Sequence, residues 1–328
     1  MSAEQQAMQR QHVHSRVIDY EARPLAGGDL ALEAKLCDIR RVAFQGVLHD
    51  KVITPGIIHD VELDLRVDKE RVLRDSSFKM YTVPFPDAVQ HGGTCCQDIL
   101  GAFDGLVGVR VDERMNRNVM ALVGGPRGCF HGQTLAIGAL PVINEALGGD
   151  QPRRVARHLL IDGYNYGATG VTLEASMIDS ELPDDLSAGP MGEVIVEADL
   201  SISFEVTDFV YKMPVATLRC PAAGIDGEVP LADRLDGLRM APGVFADLRR
   251  RLPGGRESEL LTQLLSMMIP VTIQASIAQR ARMGRPPGPD ADNKGSLGQV
   301  DSCHMWAEGG ALDLKVREAL AERLATEK

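Results

Sequence analysis

The chain has 328 residues, with 35 Lys and Arg against 46 Asp and Glu and a formal charge of −11. That balance argues against a duplex nucleic-acid binder, which needs a cationic face to release counterions, and aromatics at 4% offer little platform for stacked bases. No run approaches the ~18 apolar residues of a membrane span, and the first residues lack the layout of a secretory signal. Six cysteines in a chain of this length do not make a disulfide framework, so a cytoplasmic, reduced protein is expected.

In chain order, residues 1–12 read as a flexible arm. That arm takes in His12, so the His12-Val-His14 spacing carries little weight as a ligand pair. Alternation from Arg16, and again over Leu30–Asp38, predicts two strands joined at Gly27-Gly28. Val61–Val67 alternates strictly, Asp68-Lys-Glu makes a turn, and 72–83 returns as a second strand. From Thr94, a plausible N-cap, Ile99, Leu100, Phe103, Leu106 and Val107 share one helical face. Short apolar periodicity over 119–123 and 135–147 predicts two more helices, the last closed by Gly148-Gly149.

The same order of strings then recurs. Leu32–Asp38 resembles Leu173–Asp179, Val61–Leu65 resembles Val196–Leu200, and Pro141-Val142 resembles Pro270-Val271. The expectation is an α+β protein of two pseudo-repeats, 13–150 and 151–283, each an antiparallel sheet with helices on one face. A mobile loop over 284–300 and a closing strand with an amphipathic helix over 301–328 complete the chain.

The residues suited to chemistry fall in the first repeat, at element ends. His59-Asp60 opens a strand, Cys95-Cys96 opens a helix, and Cys129-Phe-His131 opens another. Thiolates and imidazoles suit zinc or iron, and helix N-termini favour a thiolate. Aligning the repeats sets Cys129 against Glu259, His131 against Leu261, His59 against Val194 and Asp60 against Ile195. The second copy therefore lacks the constellation. Cys303-His304 and Arg127, beside the Gly124-Gly125 turn, are secondary candidates. No nucleotide-cradling or hydrolase-elbow motif is present, so no nucleotide cofactor is expected.

His59-Asp60, the Cys95-Cys96 pair, Gly-Gly-x-x-Gly-Cys129-x-His131 and Asp301-x-Cys303-His304 resemble a bacterial family of unknown function. Its members look like single copies with an H-D-[MV] motif, a Gly-Cys-Thr-His-Leu motif and a D-x-C-H strand. Here the middle string reads Gly-Cys-Phe-His-Gly. The strand and Cys/His order is also similar, at greater distance, to NifU-type iron–sulfur assembly scaffolds. That likeness implies a zinc or cluster site near His59, Cys95 or Cys96, Cys129 and His131, with Asp60 near the scaffold's acidic residue.

Together these readings lead to the expectation of a cytosolic metal-dependent enzyme, lyase or hydrolase, acting on a small organic substrate. His59, Cys129, His131 and Cys95 or Cys96 hold zinc or iron, and Asp60 orients His59 or acts as base. A metal-free variant makes Cys129 the nucleophile and His131 or His59 the base. The rival is a non-catalytic metal- or sulfur-handling scaffold. Neither nucleic acid nor membrane is an expected partner, and any association is expected to be a homodimer.

Overall fold

The computed structural model describes residues 10–45, 52–84, 96–183, 192–239, 244–252, 254–283 and 304–309, together with positions 313, 314, 317, 318 and 321. Alternating apolar residues build β1 (Gln11–Pro24) and β2 (Leu30–Arg40), which turn back on each other through Gly27 and Gly28. Both glycines have positive φ, 89° and 88°, where a side chain is strained. A two-strand ribbon, β3 (Phe44–Gln45) and β4 (Val52–Ile53), leads into the long hairpin β5 (Gly56–Val67) and β6 (Leu73–Thr82). A 3-10 helix (Cys96–Leu106), α1 (Met115–Val123) and α2 (Phe130–Ala146) follow. The second half holds β7 (Val155–Tyr166), β8 (Gly170–Glu181), β9 (Glu193–Glu205), β10 (Lys212–Cys220) and a short β11 (Ile225–Val229). The helices α3 (Ala232–Leu235), α4 (Val244–Arg251) and α5 (Gly255–Arg282) follow; α5 crosses the sheet face over β1 and β7–β9, α3 packs on β10, and α4 packs on α3 and α5.

All the long strands join one antiparallel sheet, in the order β11-β10-β9-β8-β7-β1-β2-β5-β6. The expectation of a separate sheet in each repeat is corrected here. β1 pairs along its length with β7, so the two halves share one sheet. Ile18, Tyr20, Leu32, Leu36, Leu63 and their neighbours on β7–β10 turn to the helices and are buried. The opposite face carries charge, with Lys79 Nζ 2.6 Å from Glu62 and 2.8 Å from Asp64.

The register is symmetric about the seam. Ile18 lies opposite Leu159, Arg16 opposite Ile161 and Tyr20 opposite Arg157. Arg16 faces Asp38 across β1–β2, and Arg157 faces Asp179 across β7–β8. The β2–β5 register shifts just after Asp38, and the β8–β9 register shifts just after Asp179. Asp38 pairs with His59 and Asp179 with Val196, so His59 corresponds to Val196 rather than to Val194.

Three local expectations change. β1 begins at Gln11, so His12 and His14 are strand residues rather than parts of an arm. The segment after Cys96 winds as a 3-10 helix, because Gly101 and Gly105 interrupt it and weaken an α-helix. α5 is long and apolar enough by composition to cross a bilayer, yet 67% of its apolar window is buried, as befits a core helix. The loop expected over 284–300 and most of 301–328 lie outside the described residues.

Candidate functional site

The centre of the site is a residue that the sequence patterns pass over. Asp38 is fully buried at the end of β2. Arg16 grips it from the neighbouring strand, Nε to Oδ1 and Nη2 to Oδ2, both at 2.7 Å. This is a bidentate, charge-assisted pair. Three imidazoles converge on the same carboxylate. His14 Nε2 lies 3.2 Å from Oδ1, and His59 Nδ1 and His131 Nε2 lie 3.1 and 3.0 Å from Oδ2. The rings of His59 and His131 stack with centroids 3.6 Å apart and planes inclined by 32°. Cys129 Sγ is 3.7 Å from His131 Nδ1.

Local structure explains the convergence. Strand pairing brings Arg16, Asp38 and His59 onto one row of the sheet, and period-two alternation turns all three to the helix side. The β-bulge between His12 and His14 sets His14 beside them. Cys129 is the N-cap of α2 with extended backbone, φ −113° and ψ 128°, and it spends no side-chain bond on capping. Its sulfur therefore sits at the positive end of the helix dipole. His131, two residues on, reaches down to Asp38. Gly132 lets α2 approach, because a Cβ there would stand 2.3 Å from Phe103.

The electrostatics follow from burial. Burial alone would raise the Asp38 carboxyl, but the Arg16 guanidinium and the imidazole hydrogen bonds hold it well below the usual range. Burial drives His14 and His59 down, outweighing the pull of Asp38. Burial, with His59 alongside, takes His131 down to about 3. The site at neutral pH is thus one ion pair ringed by neutral imidazoles. If each imidazole donates its N–H to Asp38, His59 Nε2 and His131 Nδ1 remain as acceptors.

Asp38, His59 and His131 each offer a ligand atom, and the three atoms lie within 4.8 Å of one another. Two features bear on an ion there. Both carboxylate oxygens already accept from Arg16, and the two rings lie one over the other at 3.6 Å with planes inclined by 32°. An ion in plane with both rings at the usual ~2.1 Å needs one ring to turn.

The other expected residues fall elsewhere. Asp60 is not part of the cluster: strand alternation turns it to the opposite sheet face from His59, level with Cys37, whose thiol is pushed up by burial and by Asp60. Cys96 opens the 3-10 helix and packs on the apolar core. Cys95 and Cys303 lie outside the described residues. Arg127 is exposed. His304 braces the turn before Cys129: its backbone N donates to Gly128 O at 2.9 Å, and its Nδ1 is 3.1 Å from Pro126 O. His14, Arg16 and Asp38 are the members that sequence reasoning missed. The one signal for Asp38 was its place at the end of the repeated Leu32–Asp38 string.

All the residues of the cluster fall within one stretch of chain. Residues 14–142 match DUF2889, a protein family of unknown function. The DUF2889 match begins at His14 and ends inside α2, covering less than half of the chain. No curated protein and no solved structure matches, so the likeness to NifU-type scaffolds has no counterpart in these comparisons.

Proposed function

We propose that the chain is an enzyme of hydrolase or lyase type acting on a small organic substrate, with the Asp38 cluster as its catalytic centre. The observation that carries this is the relay Cys129 Sγ–His131 Nδ1 at 3.7 Å and His131 Nε2–Asp38 Oδ2 at 3.0 Å. A nucleophile, a base and a group that orients the base stand in line. As a substrate carbon is attacked, the thiol proton passes to His131 Nδ1 and a sulfur–carbon bond forms. Asp38 fixes the ring and stabilises the imidazolium, which then returns its proton to the leaving group. Arg16 keeps Asp38 ionised for that task.

A second reading is favoured by the ligand atoms of Asp38, His59 and His131. Here zinc or iron, held by the two histidines and Asp38 with Cys129 as a further donor, would polarise a carbonyl or activate water. A binding scaffold without turnover would use the same donors.

The second half supports the assignment as a duplicate that has lost the chemistry. Arg157 and Asp179 stand 141 positions after Arg16 and Asp38, in the same register and bonded in the same way. The positions of His14 and His59 are taken by Val155 and Val196. The fold keeps the ion pair without imidazoles, so its own stability does not call for them. Arg157 Nη1 also has a partner, Gln263 Oε1 at 3.0 Å, whereas Arg16 Nη1 is buried without one. We assign the protein to the cytoplasm on its cysteine usage.

The test is iodoacetamide labelling read by peptide mass spectrometry, with metal content measured on the same preparation. Faster labelling of Cys129 than of Cys37 and Cys220, an advantage lost in His131→Ala and Asp38→Asn, supports the thiol mechanism. Slow labelling with one zinc or iron per chain, lost in His59→Ala, selects the metal reading instead. An inert Cys129 in a metal-free preparation overturns both.

A further inference from the structure

A cavity of about 1100 Å³ opens between α2 and α5 on the helix side of the sheet. Its size exceeds what a water cluster needs and suits a drug-sized ligand. Phe130 and Gln133 in its wall belong to the first turn of α2; Cys129 and His131, at the same end of that helix, are not among its lining residues. Ile137 and Met267 give it an apolar interior.

Its charges are lopsided. Arg157 is bound to Asp179, and Arg256 to Glu145 and Glu259. Arg117 of α1 and Arg249 of α4 also line the space, and neither has an acidic partner among the described residues. Both are exposed, so an anion that they hold lies at the solvent side of the cavity. Asn116 Oδ1, in the same wall, is buried with no partner. Arginine forks match carboxylate and phosphate oxygens, and an apolar interior matches a hydrocarbon or aromatic body.

We propose that this cavity binds an amphiphilic organic anion, an apolar body ending in a carboxylate or phosphate, and that this is the substrate class of the Cys129 centre. The second clause rests on the catalytic reading above. The first does not. Arg117 and Arg249 hold the anionic end, and the apolar walls hold the body beside the first turn of α2.

Calorimetric titration of the full chain with decanoate, decyl phosphate and decanol tests the binding site. At least one anion should bind ten-fold or more tighter than the alcohol, and the comparison of the two anions distinguishes carboxylate from phosphate. Arg117→Gln combined with Arg249→Gln should erase that difference. Thr262→Trp or Ile137→Trp, which fill the cavity, should abolish binding of all three. Equal binding of anion and alcohol, no binding, or binding unchanged in both filled variants overturns the site. The same titration on Cys129→Ala separates the two claims, since it should retain affinity whatever the chemistry. Saturating anion should also slow Cys129 alkylation at least five-fold. Unchanged alkylation with tight binding overturns the substrate assignment.

Discussion

At the scale of residues, the site is one buried ion pair and the neutral groups stacked on it. Asp38 and the histidines respond to acid in the same direction. The His131 imidazolium is depressed from 6.5 to about 3, so between those values the unfolded chain takes a proton that the native site refuses. His14 and His59 are depressed too, and Asp38, held low, resists protonation that the unfolded carboxylate accepts near pH 4. Stability is therefore fully present above about pH 6.5 and is lost as pH falls through the histidine range and then the carboxylate range. The urea midpoint should fall between pH 7.5 and 5.0, and His131→Gln, neutral throughout, should flatten that fall. A midpoint independent of pH over this range would contradict the buried, neutral assignment. Residue chemistry was only partly legible in the sequence. Cys129, His131 and His59 stand out by type at element ends. Arg16 and Asp38 look like ordinary alternating strand residues, and only cross-strand register, which one sequence does not display, turns them to the same point. Asp60 was misread for the complementary reason: adjacency in a strand means opposite faces.

At the scale of elements, α2 is the part that must be placed closely, because it delivers both Cys129 and His131. Its glycines permit that approach. A Cβ at Gly138 would stand 2.0 Å from Tyr20 Oη, and one at Gly132 would meet the rings of Phe103 and Phe78. Gly138→Ala and Gly132→Ala should each cost about 1–3 kcal/mol by urea denaturation, the usual range for overpacking. They should also diminish the labelling advantage of Cys129, since the helix must lift from the sheet. Unchanged midpoints would show that the rings yield freely. Strands were easier to read than helices here. The hairpins follow period-two alternation closely: β6 fell within a residue of its expected bounds, while β5 begins at Gly56, ahead of the expected Val61. α2 begins at Phe130, where Cys129-Phe-His131 was expected to open a helix, although its apolar run starts only at Leu135; the first turn, Phe130 to Thr134, serves site and cavity rather than a uniform apolar stripe.

At the scale of the molecule, similar strings in the two halves did not say how those halves would be joined. Short strings such as Leu32–Asp38 and Leu173–Asp179 give correspondence without saying whether two units pack as lobes or share a sheet. Hydrogen bonding between β1 and β7 decides that. It also predicts how the first half behaves alone. A chain ending at residue 150 leaves the long edge of β1 unpaired, and such edges seek partners. Light scattering on residues 1–150 should find a dimer or larger species, and a well-behaved monomer would contradict the seam's importance.

Ile18 sits across from Leu159 near the middle of that seam. Two copies of the first four sheet strands would make an eight-strand platform by laying two identical β1 strands side by side, with every pocket near the junction looking alike from either direction. Joining the two units in one polypeptide releases that constraint. One side can hold histidines while the other holds valines, and the chamber between α2 and α5 can accept a lopsided guest in a single orientation, head and tail distinguished.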